Sequence, residues 1–189
     1  VFGGGEVPYL RAVDSPGEAS VFAEWSYQLS RQELQAVLRE AGVTSGRLLS
    51  VNIRTAPDGT GPWMVDIVSE GRTASLTTWE FRGVMNRWGP DTLPDVLPAE
   101  RPDARRYPQA VLSPTYHITK RWHFPGYLLP GYQVEEVYTI AGNGWGHLVG
   151  LSQYGALAMA EAGATHDEIL AHYYSGLAVE RAPEVLPSQ

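Results

Sequence analysis

Cysteine is absent from the 189 residues, so neither disulfides nor thiol chemistry can contribute. That absence leaves the compartment open, since bacterial envelope proteins often lack cysteine as well. Lysine is nearly absent too: Lys120 stands alone beside thirteen arginines, and the formal charge is −7. A nucleic-acid backbone is thereby disfavoured as the main partner, because phosphates are bound by clustered cations. No apolar run approaches the ~20 residues that a membrane helix requires, and no signal-peptide pattern is present. The chain also does not begin with methionine. Val1-Phe2-Gly3-Gly4-Gly5 does not look like a native start, and the expectation is a processed chain or a fragment of a longer one.

What is present is globular. Hydrophobic content of 43% and charged content of 19% are ordinary, and the length suffices for one large domain or two small ones. Tyr9–Val13 alternates as a short strand would. Ser30 can cap the N–H of Glu33 and receive a bond in return, with Leu34, Val37, Leu38 and Ala41 on one helical face and Gly42 as the stop. Leu49, Val51 and Ile53 alternate, Asp58-Gly59 turns the chain, Trp63, Val65 and Ile67 alternate again, and a third strand is expected near Arg72–Leu76. Thr77-x-x-Glu80 opens a second helix with Phe81, Val84, Met85 and Trp88 on its apolar face. Most of the six tryptophans are expected in the core. Gly89–Pro108, with five of the fourteen prolines, reads as a long loop, either a functional flap or a tolerated insertion. Residues 109–124 and 132–140 read as strands. A helix over Ser152–Ala162, rich in small residues, is expected to be buried. Thr165-x-x-Glu168 opens another over His166–Tyr174, and Leu177–Glu180 could be a last strand. Strands and helices mix without βαβ alternation. The fold class is therefore α+β, with short mixed or antiparallel sheets, a few packed helices, an elongated form and a β-rich subdomain in the middle.

The densest chemistry lies at Gly142-Asn143-Gly144-Trp145-Gly146-His147-Leu148-Val149-Gly150, followed by Leu151-Ser152-Gln153-Tyr154-Gly155-Ala156. Glycines surround one imidazole, and Ser-Gln-Tyr falls at a helix start, where free N–H groups face outward. A dinucleotide site is a poor fit. The spacing is G-x-G-x-x-x-G with Trp145 inside, and too few residues follow to complete a doubly wound sheet. Gly150–Gly155 is one residue too long for a nucleophile elbow, so Ser152 is better read as a helix cap. The histidines His117, His123, His147, His166 and His172 match no zinc spacing, and no metal or cofactor is implied. Glu18, Glu24, Glu80, Glu161 and Glu168 offer carboxylates, but nothing in the sequence marks one as a general acid.

Gly142–Ala156, with Met159-Ala160-Glu161-Ala162-Gly163 and His172-Tyr173-Tyr174-Ser175-Gly176, closely resembles the C-terminal signature of the stage II sporulation protein D family, which includes the amidase enhancer LytB. The family pattern reads G-R-G-W-G-H-G-V-G-M-S-Q-Y-G-A, so this chain departs from it at three of fifteen positions. Asn143 replaces arginine, removing a charge that could contact a lactyl or peptide carboxylate. Leu148 replaces glycine, narrowing the loop's conformations or covering the site, and Leu151 replaces methionine. Val7–Asp14 is similar to the family's P-Y-L-x-S-V-D segment, and Glu80-Phe81-Arg82 to its E-F-R element.

The resemblance implies an extracytoplasmic protein of the bacterial cell envelope, or a secreted one, acting on peptidoglycan. Some family members are lytic transglycosylases and others enhance a cell-wall amidase. The family's catalytic glutamate belongs to an N-terminal segment resembling E-A-L-K-A-Q-A-x-A-A-R-T-Y, which has no counterpart here. The chain is accordingly expected to be a C-terminal portion, inactive alone, with no catalytic residue assigned. Residues 1–42 and 132–182 are expected to form the family core, 43–131 the β-rich middle, and 183–189 a tail. The partners implied are glycan strands, with a cell-wall amidase or the upstream segment as further candidates. The substrate-binding candidates are His147, Ser152, Gln153, Tyr154, Tyr9 and Arg11, while Gly144, Gly146, Gly150 and Gly155 shape the backbone. For each, a purely structural role is the alternative. For the whole chain, the alternative is a non-enzymatic binding or scaffold module.

Overall fold

The computed structural model describes residues 7–16, 22–57, 59, 61–123, 134–147, 149–178 and 180. They fall into two compact units, one from residues 21–147 and the other from 1–20 with 148–189. The Gly3–Gly5 run, Asp58, the Pro125-Gly126 and Pro130-Gly131 breaks, Leu148 and the tail at 183–189 lie outside the described residues.

The larger unit is built from β1 (Glu24–Ser30), α1 (Arg31–Glu40), β2 (Leu48–Thr55), β3 (Pro62–Ser69), β4 (Arg72–Thr77), α2 (Thr78–Thr92), β5 (Tyr116–His123) and β6 (Glu135–Asn143). The strands form two antiparallel three-stranded sheets, ordered β1-β6-β5 and β2-β3-β4. With four helices among the described residues, this is the α+β class that the pattern implied.

Strand alternation decides what is buried. On β1, Trp25, Tyr27 and Leu29 point inward while Glu24, Ser26 and Gln28 point out. Tyr138 and Ile140 of β6 and Tyr116 of β5 join them. The second sheet contributes Leu48, Val51, Val65 and Ile67, and the helices add Leu34, Val37, Leu38, Phe81 and Met85 to the same core. Leu34, Val37 and Leu38 are fully buried, each stabilising by about 2 kcal/mol through apolar burial. The acid Glu136 is also buried and is held between Arg31 (3.4 Å) and Lys120 (2.9 Å), the chain's one lysine.

Several expectations change. Leu49 is exposed because a register shift between Leu48 and Ser50 inserts a residue, so Leu48 takes the inward position ahead of Val51. Among the tryptophans only Trp25 is buried. Trp63, Trp122 and Trp145 are exposed, the first two because they continue the inward parity of β3 and β5 past the end of the core. Helix α2 runs on through Gly89 and Pro90 to Thr92. The Thr92 hydroxyl donates to the Trp88 carbonyl (2.7 Å) and the Leu93 N–H to that of Gly89 (2.8 Å), satisfying the last turn.

The stretch after α2 is a strap packed into the core through Leu97, Ala110, Val111 and Leu112, not a loose loop. Arg82 clamps it from α2, donating to the carbonyls of Val111 (3.2 Å) and Leu112 (3.1 Å) and to Gln109 (2.8 Å), while Asn86 exchanges two bonds with Val111. The Glu80-Phe81-Arg82 element is therefore a cap, a core residue and a clamp in turn. Strand β5 begins only at Tyr116.

The smaller unit holds α3 (Gln153–Glu161), α4 (His166–Tyr173) and the segment 7–16. That segment is no strand: the Leu10 N–H turns back to the Val7 carbonyl (2.9 Å). Helix α3 is largely exposed, with only Gly155 buried, so its small residues are not packed away as expected. No strand forms over the described part of 177–180. Among the described residues, no helix is long and apolar enough to cross a membrane.

Candidate functional site

The glycine signature divides at the border between the units, with Gly142–His147 in the larger and Val149–Ala156 in the smaller. In the larger unit the chain leaves β6 into a turn fixed from three sides. The Gly144 N–H donates to the Ala23 carbonyl (3.1 Å), the Gly146 N–H to that of Leu112 (3.0 Å), and the Trp25 indole to the Gly144 carbonyl (3.1 Å). The Ser113 hydroxyl donates to the Asn143 carbonyl (2.6 Å), and Trp145 meets the Phe22 ring edge-on at 4.8 Å. Gly144 and Gly146 have φ of 72° and 116°, conformations that side chains resist. His147 follows, exposed.

In the smaller unit Ser152 caps α3, its hydroxyl accepting from the Gly155 N–H at 3.1 Å. This leaves Gln153 and Tyr154 exposed on the first turn. Gly155 is packed where no side chain fits: an added Cβ would lie 1.9 Å from the Tyr173 hydroxyl and 2.1 Å from that of Ser15. Those two hydroxyls bond each other at 2.8 Å, and His172 Nε2 meets the Asp14 carbonyl at 2.7 Å, so the segment 7–16 is tied to α4. Gly150 is likewise confined by the Tyr174 hydroxyl, 3.2 Å from its virtual Cβ. Tyr9 is exposed, and Arg11 is exposed with its Nε donating to the Pro8 carbonyl (3.1 Å). Five of the six sequence-chosen binding residues thus belong to one unit, and His147 belongs to the other.

Sequence reading missed a groove in the larger unit. A depression of about 690 Å³ lies over the outer side of the β1-β6-β5 sheet, with Glu24, Ser26, His117 and Asn143 on the sheet and Glu100 and Arg101 on the strap above it. The register explains this grouping. Ser26, Ala141 and His117 stand side by side across the three strands, with Glu24 opposite Asn143 in the next row. The overhang is a small hairpin, closed by a Glu100–Arg106 bridge and by Arg106 donating to the carbonyls of Pro94 (2.8 Å) and Asp95 (2.9 Å). A second depression of about 240 Å³ is lined by Ile53, Thr55 and Gly61 of the β2–β3 hairpin and by Thr115 and Tyr116, and it too is bordered by His117 and Asn143. Sequence reading placed strands over β5 and β6 but none at β1, and the β1–β6 pairing joins residues more than 100 positions apart.

Among the described residues, no three His, Asp or Glu side chains converge as metal ligands. Asp66 and Glu168 are held below the usual carboxylate range, the first by hydrogen bonds from Arg54 and Ser75, the second by the N–H and hydroxyl of Thr165. Both are structural pairs on the surface.

No protein-family model matches the chain. Individual proteins do match over its parts. Over 39 residues it is 59% identical to an amidase enhancer of Bacillus subtilis (strain 168), covering 21% of this chain and 6% of that protein. It is 48% identical over 48 residues to a stage II sporulation protein D of Bacillus amyloliquefaciens, covering 25% and 14%. The stage II sporulation protein D of Bacillus subtilis (strain 168) is 43% identical over 51 residues, covering 27% and 15%. The matches span about a quarter of the chain and well under two thirds of each relative, and they support the resemblance to the stage II sporulation protein D and amidase enhancer family.

Proposed function

We propose that this chain is a peptidoglycan-acting protein of the bacterial cell envelope, of the stage II sporulation protein D and amidase enhancer type, and that it binds glycan strands. The observation that carries the reading is the signature: Gly142–Ala156 keeps twelve of fifteen family positions, and relatives with those names match at 43–59% identity. His147, Gln153 and Tyr154 are the exposed polar groups assigned to sugar hydroxyls and N-acetyl groups, with Tyr9 and Arg11 as further contacts. Ser152 serves as the cap that presents Gln153 and Tyr154. No glutamate of these 189 residues is assigned as the acid of a lytic transglycosylase.

The test is binding to purified sacculi. His147→Ala and Gln153→Ala should each weaken binding about tenfold, some 1.4 kcal/mol, with the unfolding temperature unchanged because both side chains are exposed. Unaltered binding by both variants would turn the signature into scaffold. A second reading, an amidase-enhancing module, is favoured by the 59% match to a protein named amidase enhancer. It predicts that the chain raises the rate of a purified cell-wall amidase on sacculi. No change in that rate eliminates it.

A further inference from the structure

The chain has three asparagines, Asn52, Asn86 and Asn143, and of these Asn143 alone precedes a glycine. Such a pair carries its own reaction, because Gly144 has no side chain to keep its backbone nitrogen away from the amide carbon of Asn143. That nitrogen loses its proton and bonds to Asn143 Cγ. The bond from Cγ to the side-chain nitrogen breaks, and ammonia leaves with the proton. Water then opens the cyclic imide. Opening at Cγ yields aspartate, and opening at the main-chain carbonyl yields isoaspartate, which adds a methylene to the backbone. Asn52 and Asn86 precede Ile53 and Arg87, whose side chains obstruct the same attack.

In the folded chain the attack is blocked. Asn143 is the last residue of β6 and is paired with Glu24 of β1. Closing the imide ring turns the peptide plane between 143 and 144 out of the extended conformation of a strand. Both ends of that peptide are held. Its N–H, on Gly144, donates to the Ala23 carbonyl (3.1 Å), and its carbonyl, on Asn143, accepts from the Ser113 hydroxyl (2.6 Å). Ser113 is fully buried. The Asn143 amide donates to the Ala23 carbonyl as well (3.4 Å), and the Trp25 indole fixes the next peptide through the Gly144 carbonyl (3.1 Å). The nucleophilic nitrogen is occupied as a donor, and its peptide rotates only when the turn opens.

The products do not fit back into the turn. Aspartate at 143 sets a second carboxylate across the strand pair from Glu24, and like charges directly opposite destabilise. Isoaspartate lengthens the main chain just ahead of Gly144 and Gly146, whose N–H bonds to the Ala23 and Leu112 carbonyls close the turn.

We propose that Asn143–Gly144 is a deamidation site latched by the signature turn. The closed turn protects it, each opening exposes it, and reaction makes the opening permanent. It needs no enzyme and no co-reactant besides water.

The test ages the whole chain in warm, mildly alkaline buffer beside a synthetic peptide of residues 138–147. Conversion is followed by peptide mass spectrometry, and isoaspartate by methylation with a protein carboxyl methyltransferase. The peptide should convert at Asn143. The folded chain should convert at the same residue at least about tenfold more slowly, with Asn52 and Asn86 left intact. The slowing should match, within about threefold, the protection of the Gly144 amide against hydrogen exchange, because both processes need the same opening. Ser113→Ala removes the bond on the Asn143 carbonyl and should raise both rates together several-fold. Asn143→Asp should lose amide protection at Gly144 and Gly146, whereas Asn143→Gln should age without change. Conversion of the folded chain at the peptide's rate, slowing that departs from the amide protection, or full protection of the turn after conversion would overturn the proposal. The comparison with hydrogen exchange uses the unaltered chain, so it decides the matter even where Ser113→Ala does not fold.

Discussion

Gly155→Ala is expected to destabilise the smaller unit although alanine is the better helix former. The new Cβ would sit 1.9 Å from the Tyr173 hydroxyl and 2.1 Å from that of Ser15. Ser15 can rotate its hydroxyl away at the loss of its 2.8 Å bond to Tyr173. Tyr173 is 3% exposed and cannot swing freely, so its ring must retreat by roughly 1 Å or more to regain van der Waals separation. Overpacking of this kind costs about 1–3 kcal/mol, and the broken hydrogen bond about 1 kcal/mol more. Helix propensity returns less than about 1 kcal/mol, since the residue is in the first turn. The expected net loss is about 2–3 kcal/mol. Tyr173→Phe alone should cost about 1 kcal/mol through the lost bond, and it removes the clashing oxygen. The double variant should therefore be at least about 1 kcal/mol more stable than the sum of the single losses predicts. Hydrogen exchange of the α3 and α4 amides reads this locally, without requiring both units to unfold together. Strict additivity, or a neutral Gly155→Ala, would refute the steric account.

Two predictions concern the tyrosines of the larger unit. The Tyr27 hydroxyl is buried and has no hydrogen-bond partner among the described residues, so Tyr27→Phe should stabilise by about 1 kcal/mol in denaturant titration. A loss of similar size would mean that the hydroxyl is satisfied. Burial raises the ionisation of Tyr27 and Tyr116 well above the ordinary range, and it pushes Tyr138 up to about 12 with help from the Glu136 carboxylate. The folded state then holds protons that the unfolded chain gives up near pH 10, so stability is intact below about pH 10 and falls as pH rises towards 12. Tyrosinate absorbance should appear together with the loss of near-ultraviolet circular dichroism. Ionisation of all ten tyrosines near pH 10 with the fold intact would contradict the burial.

Local chemistry was legible in the sequence because it needs no partner from elsewhere. All three S/T-x-x-E boxes form, with Glu33, Glu80 and Glu168 each accepting the N–H of its cap residue at 2.7 Å. Ser152 caps as expected. What failed depended on tertiary context. Tyr9–Val13 has a strand's alternation but no neighbouring strand to pair with among the described residues. Trp63 and Trp122 have inward parity but stand past the core's edge, and Leu49 is displaced by a bulge. The groove needed the β1–β6 pairing, which no window of local pattern reveals. Gly155 was marked as backbone-shaping, yet its reason is a tyrosine hydroxyl eighteen residues away.

The signature's glycines answer largely to packing. Gly142 has no room for a Cβ, which would lie 2.5 Å from both the Thr115 carbonyl and the Trp25 ring, and Gly150 and Gly155 are confined by Tyr174 and Tyr173. Gly146 differs from these three, since its virtual Cβ meets nothing and its φ of 116° constrains it. Asn143, whose side chain donates to the Ala23 carbonyl (3.4 Å), His147, Gln153 and Tyr154 are the exposed polar groups of the same stretch. Asn143 is the one among them that borders both depressions. Its cross-strand partner is Glu24. An arginine, as in the family pattern that the chain resembles, would set a cation beside that carboxylate. Asparagine leaves the Glu24 carboxylate without that cation across the strand pair.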